Sequence, residues 1–162
     1  MADEKRPGGT VERQTTVEQT SDREVVVTRW FDAPAASVFE AWSNSELFQK
    51  WWVPKSMGAT LYACEMDVRT GGTYRLNFGE GMDFFGRYIE VVPPSLIVWT
   101  NDEEGADGSI TTVQLEEVEG RTRLVMSELY PSKEALDAAG LGAAEATHET
   151  FAQLDDLMAT LA

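Results

Sequence analysis

The feature that most constrains this chain is a change of hydrophobic period between residues 24 and 54. Residues 24–31 (EVVVTRWF) are β-branched and aromatic and contain no glycine or proline, as is typical of a β-strand. After Asp32, a predicted N-cap, apolar residues recur at three- and four-residue spacing until Pro54, with one interruption at residues 43–45 (SNS) that offers a second cap. The segment predicts one strand followed by two short helices.

The next part of the chain is predicted to be sheet. Strands are expected at residues 59–68, 73–78, 83–92, 96–101, 109–118 and 122–129, which with residues 24–31 makes seven. Helical spacing then returns in residues 143–161, whose apolar stripe consists of Thr147, Phe151, Leu154, Met158 and Leu161. A curved seven-stranded antiparallel sheet wrapped around this long C-terminal helix would cover the stripe. The predicted fold class is therefore α+β.

The N-terminal residues have a different composition. Residues 1–22 contain few hydrophobic side chains and a Pro-Gly-Gly sequence. Burial in such a segment cannot offset the entropy lost on ordering. We predict a disordered or extended tail at residues 1–22, with at most an extra edge strand within residues 10–20, and a single domain at residues 23–162.

Charge and cysteine content exclude several classes of function. The chain has 13 basic and 28 acidic residues, a net charge of −15, which argues against nucleic acid and anionic membrane surfaces as partners. The lone Cys64 allows neither an internal disulfide nor a cysteine-cluster zinc site, and we expect no metal. No apolar run resembles a secretory leader or a membrane span, so a cytoplasmic protein is expected. No glycine-rich loop opens a helix, so no nucleotide or other cofactor is expected.

Two residues are candidates for acid–base catalysis. Glu128 shares a predicted strand face with the apolar Leu124 and Met126, so it points inward if that face is the buried one. The single histidine, His148, lies one position off the apolar stripe of the C-terminal helix, either beside a cavity or in solvent. Each residue also has a simpler interpretation, as a strand-end carboxylate and a helix-shoulder histidine in water.

Three runs of residues carry a resemblance to a known family. They are FDAPAASVFEAWSNSELFQKWW from Phe31, RTGGTY from Arg69 and GRYIEVVPP from Gly86. In this order they resemble the bacterial branch of the activator of Hsp90 ATPase homologue 1-like (AHSA1-type) family, in the START-like (SRPBCC) superfamily. The resemblance covers about residues 23–161 and implies the helix-grip, or Bet v 1-like, fold. Because the superfamily includes lipid carriers, aromatic cyclases, hormone receptors and co-chaperone domains, the resemblance implies fold more specifically than function.

The helix-grip fold implies an elongated cavity between the sheet and the long helix. Aromatic side chains are numerous enough either to line such a cavity or simply to fill it as a core. Asn101 and Thr147 are the polar residues expected inside. The predicted ligand-binding residues are Trp42, Trp51, Trp52, Tyr74, Phe85, Tyr88, Trp99, Asn101, Met126, Thr147 and Phe151.

Three functions fit this pattern. The first is a binding protein for a hydrophobic or aromatic small molecule, without chemistry. The second is an enzyme similar to polyketide cyclases or dehydratases, which would use a cavity carboxylate or His148 as a general base. The third is a co-chaperone-like module with Hsp90 as its partner, as the family resemblance implies. A homodimer is a further expectation if Trp51 and Trp52 form an exposed apolar patch.

Overall fold

The computed structural model of the chain describes residues 15–102 and 108–161. This part forms one antiparallel sheet and a set of helices packed on one of its faces. The strands are β1 (Thr16–Gln19), β2 (Glu24–Phe31), β3 (Ala63–Met66), β4 (Thr73–Asn77), β5 (Asp83–Val92), β6 (Leu96–Thr100), β7 (Ile110–Val118) and β8 (Arg121–Leu129). The α-helices are α1 (Ala35–Ser43), α2 (Ser45–Trp51), α3 (Lys133–Ala139), α4 (Gly142–Glu145) and α5 (Thr147–Leu161), and a 3₁₀-helix spans Lys55–Met57.

The sheet is ordered β1-β2-β8-β7-β6-β5-β4-β3, and every neighbouring pair is antiparallel. Strand β2 shows strict alternation, because Val25, Val27, Arg29 and Phe31 are buried while the residues between them are more exposed. This alternation gives the sheet one face toward the helices and one toward solvent. The α+β helix-grip class predicted from the sequence is confirmed.

The sheet has eight strands, one more than the seven expected. The additional strand β1 lies at the edge and pairs with β2, from Thr16 opposite Thr28 to Gln19 opposite Val25. Its position falls within the edge strand considered for residues 10–20. Residues 1–14, where most of the tail was predicted, lie outside the described residues.

Helices α1 and α2 form where two short helices were predicted. The prediction of Asp32 as the N-cap of α1 is wrong, because Pro34 occupies that position. The Asp32 carboxylate instead accepts a hydrogen bond from Arg121 Nε at 2.9 Å. The second predicted cap is present, since Asn44 Oδ1 accepts from the Glu46 and Leu47 amides at 2.9 and 3.2 Å. These two bonds satisfy free N–H groups at the start of α2.

The C-terminal segment is divided where one long helix was expected. The short helix α4 ends at Glu145, Ala146 is its C-cap, and α5 then begins at Thr147. Of the predicted stripe, Thr147, Phe151, Leu154 and Met158 are buried. Leu161, the last residue of α5, is 48% exposed, so its inclusion in the buried stripe was wrong.

Candidate ligand-binding cavity

One end of the space between α5 and the sheet is filled by side chains. Phe151 and Leu154 of α5 and Leu124 of β8 have no exposed surface. The Phe151 ring meets Phe31 edge to face, with 5.9 Å between the ring centroids, and Trp51 lies 6.2 Å from Phe151. This end is an ordinary close-packed core, which we call the filled end.

The other end contains a cavity of about 640 Å³. Its walls come from both sheet and helices and are mainly aromatic and aliphatic. The aromatic lining residues are Trp42, Phe48, Trp52, Tyr74, Phe78, Phe84, Tyr88, Trp99 and Tyr130. The polar ones are Asn101, Ser109, Thr111, Glu128, Thr147 and Thr150. We call this region the hollow end.

A glycine lets one of these rings lie across the neighbouring strand. Gly86 on β5 is paired with Tyr74 on β4, and a Cβ at Gly86 would lie 2.0 Å from the Thr100 carbonyl oxygen and 2.9 Å from the Tyr74 ring. Because glycine has no side chain, the Tyr74 ring reaches past β5, and its hydroxyl donates to the Thr100 carbonyl at 2.8 Å. Gly86 therefore positions Tyr74 in the cavity wall.

Four of the six polar residues of the wall form one hydrogen-bonded group, the Asn101 cluster, made of Asn101, Ser109, Thr111 and Glu128. Asn101 Nδ2 donates toward Ser109 Oγ at 3.0 Å and Thr111 Oγ1 at 3.1 Å. The Ser109 hydroxyl donates to Glu128 Oε2 at 2.7 Å. The side-chain amide of Asn101 thus has its donors engaged, whereas Glu128 uses only one of its two oxygens here.

Glu128 lies in a row of residues that crosses the sheet on its helix-facing side. The pairing places Val25 on one side of Glu128 and Thr111 on the other, and then Trp99 and Tyr88. The next row, two residues along each strand, contains Val27, Met126, Val113 and Ile97. Since neighbouring residues in such a row are about 5 Å apart, Glu128 lies beside Val25 and Thr111, and apart from Thr111 the other residues named in the two rows are apolar or aromatic.

Tyr88 contributes a hydroxyl to the hollow end. The residue is 5% exposed, and burial, reinforced by nearby Cys64 and Asp67, raises its pKa well above the usual range. Its hydroxyl has no hydrogen-bond partner among residues 15–102 and 108–161, so it can donate to or accept from a ligand. At any ordinary pH this phenol is neutral.

The rim of the hollow end is attached to α5. Gln153 Nε2 donates to the Trp51 and Val53 carbonyls at 2.9 Å each, and its Oε1 accepts from the Lys55 amide at 2.9 Å. The Glu149 carboxylate accepts from both the amide and the hydroxyl of Ser56. These bonds hold the segment from Val53 to Met57 against the helix. Val53, Pro54 and Met57 themselves line the cavity.

The structure brings most of the predicted ligand-binding residues together. Those that line the cavity are Trp42, Trp52, Tyr74, Tyr88, Trp99, Asn101, Met126 and Thr147. Three do not line it. Trp51 and Phe151 are fully buried in the filled end, and Phe85 is 43% exposed on the outer face of β5. Strand alternation explains the error at Phe85: Gly86 and Tyr88 face inward, so the cavity-facing neighbour is Phe84.

The two catalytic candidates differ in position. Glu128 lines the cavity and is partly buried. The His148 side chain is 52% exposed, lies 3.8 Å from Glu145 and is absent from the cavity wall, so of its two predicted placements the structure has the one in solvent. It occupies the outer side of α5 because it follows the buried Thr147 by one residue, a rotation of about 100°.

Several lining residues were missed by the sequence analysis. Ser109 and Thr111 complete the Asn101 cluster, and the strand register opposite Glu128 is the signal that identifies Thr111. Met57, at the end of the 3₁₀-helix, and Met82, in a loop, are 66% and 50% exposed and lie at the rim in segments without regular hydrophobic periodicity. The expected exposed Trp51–Trp52 patch is also wrong, because Trp51 is buried beneath α5 and its indole N–H donates to the Ala41 carbonyl at 3.0 Å.

Within residues 15–102 and 108–161, no group of three or more His, Cys, Asp or Glu side chains is arranged to hold a metal ion. None of the helices in this part of the chain has the length and hydropathy that a membrane span requires.

Known proteins share this architecture. A protein from Rhodobacter sphaeroides has a solved structure that is 27% identical, with a TM-score of 0.80 over 92% of this chain and 100% of its own. Another, from Mycobacterium smegmatis, is 23% identical with a TM-score of 0.74 over 91% and 99% of the two chains. CalU16 from Micromonospora echinospora is 21% identical, with a TM-score of 0.63 over 84% and 81%.

The sequence itself matches a known protein family. No functionally curated protein matches the chain. The family profile described as "Activator of Hsp90 ATPase homolog 1-like protein" matches residues 32–159, from the residue that follows β2 to the last turn of α5. Together with the helix-grip architecture, this match shows that the chain belongs to the activator of Hsp90 ATPase homolog 1-like family.

Proposed function

We propose that this protein binds an apolar or aromatic small molecule in the hollow end. The observation that supports this most is the cavity of about 640 Å³ with aromatic walls and a single polar cluster. Ligand sites in proteins typically have volumes of this order and combine an apolar lining with a few polar groups that fix orientation. The combination matches a binding site better than a packing defect.

Filling the cavity with a ligand would stabilise the folded protein. The rings of Trp42, Trp52 and Trp99 pack against other aromatic rings and also line the cavity, so on the cavity side they lack part of the dispersion contacts that a close-packed core provides. A molecule that fills the space restores these contacts, and because it binds only the folded state, it stabilises the protein. Binding should therefore be detectable both directly and as a rise in the melting temperature.

The proposal is tested with N-phenyl-1-naphthylamine, a neutral probe whose fluorescence rises in apolar surroundings. We expect saturable binding, and we expect Met126→Trp, which places an indole in the cavity, to weaken the affinity by about tenfold or more. Val125→Trp is the matched control, because the adjacent residue on β8 faces the opposite side of the sheet. Absence of saturable binding, or an equal loss in both variants, would contradict the proposal.

Glu128 supports a second candidate function, that of an enzyme similar to polyketide cyclases and dehydratases. It is the only carboxylate among the described residues that line the cavity, and Ser109 holds its Oε2 at 2.7 Å. A carboxylate in such a position can act as a general base on a carbon acid next to a carbonyl group. The test is deuterium incorporation at the α-carbon of 1-tetralone in heavy water: catalysis that Glu128→Gln abolishes supports the enzyme, and incorporation at the buffer rate excludes it for this class of ketone.

A co-chaperone-like role remains a separate prediction, suggested by the description of the family. It is tested by the ATPase rate of a bacterial Hsp90 with and without this protein. A rate that is unchanged at saturating concentration would remove Hsp90 as a partner.

A further inference from the structure

The described residues of the cavity wall carry negative charge only. Among the described lining residues Glu128 is the only carboxylate, and no lysine, arginine or histidine is present. The whole chain reinforces this sign, since its net charge is −15. A ligand that enters the hollow end therefore meets a negative group without a positive one to offset it.

The hydrogen bonding of Glu128 is incomplete. Its Oε2 accepts from the Ser109 hydroxyl at 2.7 Å. In the described part of the chain, Oε1 has neither a hydrogen-bond donor nor a basic side chain within ion-pair distance, and its neighbours across the sheet are Val25 and Thr111. A carboxylate oxygen that borders an apolar cavity in this way retains full acceptor capacity, and a donor from a ligand can use it.

We propose, as an extension of the binding function above, that the preferred ligands are amines with an aromatic or apolar body, whose ammonium group is bound by Glu128. The ammonium donates to Glu128 Oε1, and the body of the molecule occupies the space lined by Trp99 and Tyr88, which lie farther along the same row. Aromatic ring faces attract cations as well as apolar groups, so this wall suits both parts of the molecule.

Selectivity follows from the difference between ligand charges. An ammonium gains a charge-assisted hydrogen bond at Glu128, whereas a carboxylate at the same place would be repelled by it and would find no positive group among the described lining residues. A neutral alcohol lies between the two because it can donate to Glu128 without a charge interaction. The expected order of affinity is amine, then alcohol, then acid.

Three ligands with the same ring test this order: 2-(1-naphthyl)ethylamine, 2-(1-naphthyl)ethanol and 1-naphthylacetate, measured by isothermal titration calorimetry at neutral pH. We expect the amine to bind about tenfold more tightly than the alcohol, with the acid weakest. In Glu128→Gln the amine should lose about tenfold in affinity and the acid should gain.

The matched control is Glu116→Gln. Glu116 is exposed on β7, and its substitution removes the same single negative charge from the chain without touching the cavity. We expect this variant to keep the affinities of the unchanged protein within about twofold. If Glu116→Gln lowers amine affinity as much as Glu128→Gln does, the net charge and not Glu128 selects the ligand, and the proposal is overturned.

The remaining outcomes separate this inference from the function on which it rests. Equal affinity for amine, alcohol and acid overturns the role of Glu128 while leaving a binding cavity. Failure of all three ligands and of the neutral probe overturns the binding function as well. Retained order in the unchanged protein with loss of that order in Glu128→Gln alone supports the assignment.

Discussion

The filled end and the hollow end lie beneath the same helix and on the same strands, yet only one of them is close-packed. On β8, Leu124 and Met126 face the helices two residues apart. Leu124 has no exposed surface and lies between Arg29 and Leu115 in its row. Met126 lies one row farther along, lines the cavity and is only partly buried.

The difference arises from what the first two helices contribute. Trp42 and Trp51 from α1 and α2 lie 4.7 Å apart between ring centroids, and both pack near Phe151. Trp42 also reaches Trp99, with 5.8 Å between ring centroids, but in the described part of the chain no comparable pair of rings covers Glu128 and Thr111, and the helical side of the cavity wall includes small residues such as Ala143 and Ala144. A sheet and a helix thus enclose more space than they fill, and the placement of bulky rings decides where the space remains.

The largest expected effect comes from removing side chains at the two ends. Leu124→Ala should lower the free energy of unfolding by about 2–5 kcal/mol, because it opens a void in a close-packed region. Met126→Ala should cost about 1 kcal/mol, since that side chain already borders open space and has fewer contacts to lose. Urea denaturation of both variants, with Val125→Ala as the control on the outer face, measures the difference. Equal losses for Leu124 and Met126 would mean that the hollow end is packed.

The neighbouring tryptophans provide a second, smaller contrast. Trp51→Phe should cost about 1–3 kcal/mol of stability, because it leaves the Ala41 carbonyl without its indole donor in a buried place. Trp52 stacks on Phe48 with 4.8 Å between centroids and lines the cavity. Trp52→Phe should cost less than about 1 kcal/mol but reduce probe affinity.

Chemical denaturation and probe titration of the two variants should therefore rank them in opposite orders. Trp51→Phe would be the less stable protein with nearly unchanged binding, and Trp52→Phe the more stable protein with weaker binding. The same rank in both measurements would show that the two rings do not divide between core and cavity wall.

The fold was largely predictable because it depends on local periodicity. The switch from alternation in residues 24–31 to helical spacing after Asp32, and the return of that spacing near residue 143, are visible in the sequence and correspond to elements of the structure. Strand β1 was less visible, since its residues are mostly exposed and its pairing with β2 depends on backbone hydrogen bonds rather than on an apolar pattern.

The cavity was predictable only in part, because a void depends on the sum of distant side-chain volumes. Helical spacing identifies Trp51 and Trp52 as near the interior, but not which of them enters the filled end. On β5 a register shift between Tyr88 and Glu90 obscures which alternate residues face the cavity, so Phe85 was predicted to line it instead of Phe84. Glu128 could be placed because alternation with Leu124 and Met126 is uninterrupted.

The smallest expected effect is an acid-dependent loosening at the rim of the hollow end. Hydrogen bonds from the Ser56 hydroxyl and amide lower the pKa of Glu149 below its usual value of 4.5. A carboxyl group whose pKa is lowered by folding stabilises the folded state above its unfolded pKa, and this contribution is lost as the pH falls through the folded pKa. The attachment of the Lys55–Met57 helix to α5 should therefore weaken below pH 4.5, while the filled end, which is joined to the rim through Gln153 and not through Glu149, stays unchanged. An NMR titration of the Ser56 amide should show a midpoint below 4.5 that disappears in Glu149→Gln, whereas the indole N–H signal of Trp51 should not follow it. A Ser56 midpoint at or above 4.5 would contradict the lowered pKa of Glu149. A Trp51 signal that moves with Ser56 would show that the rim and the core respond to acid as one unit, because Gln153 also joins Trp51 to the rim and would then transmit the change.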